Sequence, residues 1–227
     1  TNVEGTYNIL ESAKNKRIKQ TIITSTSEVY GSARYTPMDE AHPIQSQSPY
    51  AASKISADQM AISYWNSFRL PVKIIRPFNN FGPRQSQRAV IPTIINQTLN
   101  NKFLKLGNLS PKRDYTFVKD TASAYYHILK NKIFFGKIVN VGSGKTHSIS
   151  SIAKDVQKIL KNNKKIKLDK NRVRIKSSEV DLLKCNCNFL KKNTKWKISK
   201  TFSNHLKDTI NWSKKYNNKS ISKIYSV

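Results

Sequence analysis

Apolar and polar positions switch between two periods along this chain, and the switches mark its elements. Near the start, Val3, Tyr7, Ile9, Leu10 and Ala13 recur at helical spacing, so the chain opens inside a helix. That helix begins without a capping residue, which leads us to expect more protein upstream. TIITSTS (21–27) is β-branched and reads as a strand. SARYTPMDEAHPIQSQ follows as a loop punctuated by Pro37 and Pro43. Ser48 and Pro49 then supply an N-cap and a first helical residue for a helix running to about Phe68. VKIIRPF (72–78) is a second buried strand, NNFGPRQS a loop, and VIPTIINQTLN a helix opened near Pro92. RDYTFVKDTASAYYHILKN predicts a short strand and then a helix capped by Asp120 or Thr121. KIVNVGSG (137–144) is a strand ending in a glycine turn. The remainder, with helical SSIAKDVQKILKN, strand-like VRIKS and a final helix over KTFSNHLKDTINWSKKY, reads as a smaller lobe.

Helix followed by strand, repeated, implies a parallel sheet with covering helices. The length, 227 residues with 37% hydrophobic, supports one large domain or a domain with a smaller lobe. No run is long enough to span a membrane, and no signal peptide opens the sequence. Two cysteines, Cys185 and Cys187, make no disulfide scaffold, so a reducing cytoplasm is expected. Their spacing is half a zinc site without the other half, so no metal is expected.

The net charge of +28 changes the picture only briefly. A basic protein gains affinity for nucleic acid by releasing counterions. Here the lysines are spread over the whole chain among Asn and Ile, and no RNA-module or zinc-finger pattern accompanies them. An enzyme for an anionic substrate is the better expectation, and nucleic acid is set aside.

Two short stretches carry candidate chemistry. In SPYAASK (48–54), Tyr50 and Lys54 lie one turn apart on a helix face, where an ammonium lowers a phenol's pKa and makes it a usable base. In TSTSEVYG (24–31), hydroxyls and the carboxylate of Glu28 stand at the carboxyl end of a strand, where open parallel sheets bind ligands. A Tyr-x-x-x-Lys pair alone is weak and turns up by chance in many helices.

With TNVEGTYNILESA, TSTSEVYG, SPYAASK, RPFNNFGPR, RDYTFVKD and VNVGSG in this order, the chain resembles the extended short-chain dehydrogenases/reductases. Within them it is similar to the NAD-dependent nucleotide-sugar epimerase/dehydratase family. The resemblance implies an α/β fold: the C-terminal part of a Rossmann-like doubly wound parallel sheet, with a smaller α/β substrate-binding lobe. We expect residues 1–79 and 114–141 in the partial Rossmann domain, and 80–113 and 142–227 in the lobe. The family's glycine fingerprint would lie upstream of Thr1, and VGSGKTHS does not replace it, so the chain alone is expected to bind NAD poorly and to be inactive.

Thr26-Ser27-Glu28 resembles the triplet of GDP-mannose 4,6-dehydratases, where dTDP-glucose enzymes carry Thr-Asp-Glu. UDP-glucuronate decarboxylases share Thr-Ser-Glu, whereas epimerases usually lack the carboxylate. Longer segments, MDEAHPIQSQSPYAASKISADQMA and RPFNNFGPRQSQRAVIPTIINQ, look most like N-acetylglucosamine-nucleotide 4,6-dehydratases of legionaminic acid synthesis. The resemblance implies that Tyr50, aided by Lys54 and Thr26, deprotonates the sugar 4-OH, and that Glu28 removes the C5 proton, with Glu28 or a group near Ser27 protonating the departing C6 hydroxyl. Pro77 and Phe78 would adjoin the nicotinamide. Asn79, Arg84, Arg113 and Arg174 would line the nucleotide-sugar site, and a homodimer would form through the first two helices. The alternatives are a 4-epimerase or UDP-glucuronate decarboxylase of the same family and, from a different class, a non-catalytic polyanion-binding remnant.

Overall fold

In the computed structural model, residues 1–173 and 180–216 are described. Helix α1 (Asn2–Asn15) buries Leu10 and Ala13, whereas Val3, Tyr7 and Ile9 remain exposed. The helical period therefore covers two faces, one against the core and one outward. Strand β1 (Thr21–Thr24) runs parallel to β2 (Val72–Pro77), which pairs on its other side with β6 (Ile138–Val141), also parallel. Parallel neighbours need covered crossovers, and the helices supply them. One is α2 (Pro49–Phe68), in which Ser48 Oγ accepts from Ala51 N at 3.1 Å and Pro49 takes the first helical position, as the sequence predicts. Leu10, Ala61, Tyr64, Val72 and Ile74 form the core under α1 and α2. Ile75, Phe78, Ala124, Ile128 and Val139 belong to a second core, which α4 (Val118–Leu129) helps to build.

A second group of elements packs around a third core. Strand β3 (Asn79–Phe81) pairs parallel with β5 (Lys112–Phe117), although the sequence reads NNFGPRQS as a loop throughout. Three residues show no period of their own; the partner strand makes them a strand. β5 also takes β7 (Thr146–Ser148) antiparallel and β9 (Leu182–Leu183) parallel, while β4 (Leu104–Leu106) pairs with β8 (Ile166–Leu168). Helices α3 (Val90–Asn100), α5 (Ile149–Leu160) and α7 (Phe202–Tyr216) close over Phe81, Ile94, Leu104, Val156 and Leu206. The short α6 (Asn188–Asn193) packs Leu190 into the core beside β6. Of the strand expected at VRIKS, all but Val173 lies outside the described residues.

The expected cap of α4 is corrected. Phe117 holds the cap position, because β5 passes directly into the helix and leaves no room for a capping turn. Asp120 and Thr121 sit inside the helix instead: Asp120 accepts from Ser199 N at 3.1 Å, and Thr121 Oγ1 donates to Asn80 Oδ1 at 2.6 Å.

The glycine turn after β6 has a structural employment. The Asp114 carboxylate accepts from Ser143 N (2.8 Å), Gly144 N (2.7 Å) and Cys185 N (3.2 Å). A side chain at Gly142 would meet Cys185 Cβ at 2.3 Å, so only glycine allows this approach. Cys185 and Cys187 are free thiols and buried. Among the described residues, no helix is long and apolar enough to cross a membrane.

Candidate functional site

β1 and β2 end side by side, with Ser25 N donating to Ile75 O at 2.7 Å. Thr26 remains extended and begins a 3-10 turn over Ser27–Tyr30, its Oγ1 accepting from Glu28 N at 3.2 Å. A buried ion pair anchors this end. Ser25 Oγ donates to Asp58 Oδ2 at 2.8 Å, and Arg76 Nε donates to the same oxygen at 2.9 Å. The Arg76 guanidinium stands 4.8 Å from the Tyr30 ring centroid, and Tyr30 donates to Asn140 Oδ1 at 2.7 Å. β1, α2, β2 and β6 are thereby tied together directly behind the TSTSE segment.

Tyr50, Lys54 and Asp58 follow at successive turns of α2 and so share one face. Tyr50 is 46% exposed, and its phenol lies near the Thr26 hydroxyl and the Glu28 carboxylate. Lys54 Nζ donates to the Thr24 carbonyl at 3.0 Å. One expectation is corrected here: the Tyr50 phenol is raised above its ordinary range, not lowered. Burial raises it most, the Thr26 hydroxyl opposes, and the Glu28 carboxylate raises it further. The Lys54 ammonium is engaged with the backbone of β1, away from the phenolic oxygen it was expected to serve.

A cleft of about 350 Å³ opens at the start of α2, with Thr26, Tyr50 and Lys54 outside its lining. Glu28, Asn79 and Arg113 line it, together with Ser48 and Ala51 from the first turn of α2. Arg88 and Arg172 also line it, neither of them anticipated from the sequence. The Asn79 Oδ1 and Gln85 Oε1 oxygens, both from residues of the cleft, are buried without hydrogen-bond partners. Three guanidinium groups, of which Arg172 pairs with Asp169 at 3.0 Å, favour an anion, and orphan amide oxygens call for hydroxyl or amine donors. The cleft therefore suits a phosphorylated, hydroxyl-rich molecule, with Glu28 as a carboxylate in its wall.

The other expected residues are placed less centrally. Arg84, in a left-handed backbone conformation (φ 67°), is not in the lining. Ser27 is buried, Pro77 ends β2, and the Phe78 side chain packs in the core beside Tyr30. Arg174 lies outside the described residues. Arg172 stands two positions before it, and Arg88 just before α3. In a chain this rich in cations, no sequence signal separates such an arginine from a solvated one.

The family model for GDP-mannose 4,6 dehydratase matches residues 1–209. The dTDP-D-glucose 4,6-dehydratase of Dictyostelium discoideum is 36% identical over 170 residues, covering 70% of this chain and 39% of that protein. Among solved structures, the dTDP-glucose 4,6-dehydratase of Bacillus anthracis in complex with NAD superposes with a TM-score of 0.88 at 30% identity, over 95% of this chain and 68% of that one. A UDP-glucuronic acid 4-epimerase from Bacillus cereus reaches 0.87 at 24% identity, over 95% of this chain and 68% of that one, which shows a shared fold alone. The chain spans about half the length, or less, of the curated relatives it matches. Parallel strands ending at a Tyr–Lys helix face, an arginine-lined cleft and a match across most of the sequence agree: this chain belongs to the GDP-mannose 4,6-dehydratase family, with the fold of the extended short-chain dehydrogenases/reductases.

Proposed function

We propose that this chain carries the catalytic and substrate-binding half of an NAD-dependent nucleotide-sugar 4,6-dehydratase, a lyase that yields a 4-keto-6-deoxy sugar. The observation that carries this reading is Glu28 in the wall of an arginine-lined cleft, near enough to the Tyr50 phenol to raise its pKa. A simple 4-epimerase needs no carboxylate there; removal of a C5 proton does. A half-exposed Tyr50 with Lys54 on the same face fits the nicotinamide and ribose end of NAD, next to the end of β2 at Pro77 and Phe78. The seven glycines include no turn of the family's G-x-x-G-x-x-G spacing, so these residues offer no cradle for the pyrophosphate.

NAD, when bound, supplies a reversible acceptor and donor of hydride. The chain's own groups manage protons and orientation. Tyr50 takes the proton of the sugar 4-hydroxyl while Thr26 holds the phenolic oxygen in line. Lys54, once turned from the Thr24 carbonyl toward the phenolate, stabilises its charge. The ketone formed at C4 acidifies C5, and Glu28 removes that proton. Glu28, or a group near Ser27, then protonates the departing C6 hydroxyl, and the double bond left between C5 and C6 would be saturated by the returning hydride at C6 and a proton at C5. Arg113, Arg88 and Arg172 hold the diphosphate, and Asn79 accepts from a sugar hydroxyl. The division that the sequence suggests stands here as part of the proposal, residues 1–79 and 114–141 on the cofactor side and 80–113 and 142–227 on the sugar-nucleotide side.

The substrate is a nucleotide-linked hexose. The MDEAHPIQ and RPFNNFGP segments favour N-acetylglucosamine, whereas the relatives' names favour glucose and mannose. Titrating the chain with UDP-N-acetylglucosamine, dTDP-glucose and GDP-mannose ranks them, and Arg113→Ala is expected to weaken the best of them at least about tenfold. In a polypeptide extended by the family's glycine-turn half, NAD⁺ should give a product lighter by one water. Glu28→Gln or Tyr50→Phe should slow that step by about 10²–10⁴-fold. A C4 epimer or released carbon dioxide as the product would overturn the proposal. Turnover by the 227 residues alone with NAD⁺ would overturn the expectation that they are inactive by themselves.

We further propose that the protein forms a homodimer through α1 and α2, whose Val3, Tyr7, Ile9 and Phe68 side chains are exposed. The free thiols support a reducing, cytoplasmic setting.

A further inference from the structure

A second cavity, of about 240 Å³, shares only Tyr115 with the cleft described above. Its polar groups fall into two sets. Inside are Thr116 and Asp120, exposed by 1% and 3%, and both Thr116 Oγ1 and Asp120 Oδ2 are buried without a hydrogen-bond partner. At the rim stand four exposed lysines, Lys145, Lys191, Lys197 and Lys200, the last of them paired with Asp208 at 2.9 Å. Between floor and rim the walls are flat rings: His147 stacks on Phe202 at 3.8 Å, and His205 on Phe117 at 4.2 Å.

Ser199, His205 and Asp120 meet here, but they do not form a nucleophilic triad. His205 Nε2 faces both Ser199 Oγ (3.1 Å) and Asp120 Oδ2 (3.6 Å), whereas proton relay needs the two ring nitrogens to serve different partners. Burial also lowers the His205 pKa, so the ring is neutral near pH 7. The cavity is therefore built for binding.

Leaving a buried polar atom unpaired costs about 1–3 kcal/mol, so orphan atoms lining a cavity point to a partner that enters it. A carboxylate oxygen and a hydroxyl on the floor ask for an N–H donor. Flat aromatic walls ask for a planar apolar body, and lysines at the mouth ask for an anion. A bare phosphate answers only the last of these and would be repelled by Asp120.

We propose that this cavity binds a small planar organic anion that carries an amino group, the chemistry of a nucleoside monophosphate with an exocyclic amine. The amine reaches Asp120 and Thr116, the base lies along the aromatic walls, and the phosphate sits among the lysines.

The test is calorimetric titration of the full chain with AMP at low salt. Parallel titrations use inorganic phosphate and purine riboside monophosphate, which lacks the amine. Saturable AMP binding is expected, with phosphate and the amine-free nucleotide each weaker by about tenfold or more. The rim variant Lys145→Glu with Lys197→Glu should weaken AMP by a similar factor at unchanged melting temperature, and Thr116→Val should weaken it further. Arg113→Ala, which alters the other cleft, should leave this binding in place. Absence of saturable binding, phosphate binding as tightly as AMP, indifference to charge reversal at the rim, or loss in Arg113→Ala instead would each overturn the proposal.

Discussion

Asp58 does two jobs with one oxygen: it accepts from both Ser25 and Arg76, while its other oxygen is buried without a partner. Burial pushes its carboxyl up and the Arg76 charge pulls it back. Asp58→Asn removes the counter-charge of a guanidinium that is 1% exposed. Breaking a buried pair from one side costs about 3–5 kcal/mol, so urea unfolding should show a loss of that order. A loss below about 1 kcal/mol would show that the pair contributes as little as a surface bridge. Glu28, Tyr50 and Lys54 were legible in the sequence because their spacing is local, within one turn or one helix face. The Asp58–Arg76 pair was not, because it joins α2 to β2 and neither residue announces the other.

Among the elements, β2 is the most informative. It reads as an apolar run, yet it carries two buried cations, Arg76 and Lys73. Lys73 Nζ donates to the carbonyls of Ile128 (2.8 Å) and Leu129 (2.9 Å) and to Gln20 Oε1 (3.0 Å). These carbonyls end α4, where the helix dipole is negative, so a strand residue serves as that helix's cap. Lys73→Met keeps the stem's packing and removes the charge-assisted bonds. It should destabilise the fold by about 1–3 kcal/mol in denaturant titration, and an unchanged midpoint would refute the cap. The start of α2 was legible because Ser48 and Pro49 act within one turn. The start of α4 was not, because its Asp120 is drawn inward by Ser199. The short strands β3 and β9 exist only through pairing with β5.

At the scale of the whole molecule, β1 pairs with β2 alone among the described residues, and α1 and α2 turn apolar side chains outward. An exposed apolar helix pair of this kind suits the homodimer proposed above. Sedimentation should show a dimer, and Ile9→Asp combined with Phe68→Asp should shift it to monomer. A parent chain that remains monomeric at every concentration would remove this interface from the account. The charge of +28 is spread along the whole sequence rather than gathered in one segment.

The sequence by itself determined most of the succession of helices and strands and the parallel sheet they imply, and it singled out the groups proposed to handle protons. Each of those follows from spacing along the chain: period 2, period 3.6, a cap and a turn. Only the tertiary structure decided which arginines share a cleft with Glu28. The pairing of Asn79 with Tyr115 sets β3 beside β5 and brings Arg113 to the cleft, while Arg84, only five residues after Asn79, turns away. The buried Asp58–Arg76 pair and the lysine-rimmed second cavity were decided in the same way. Both arise where distant segments pack, and there the net cost or gain of a polar group depends on neighbours that spacing cannot name.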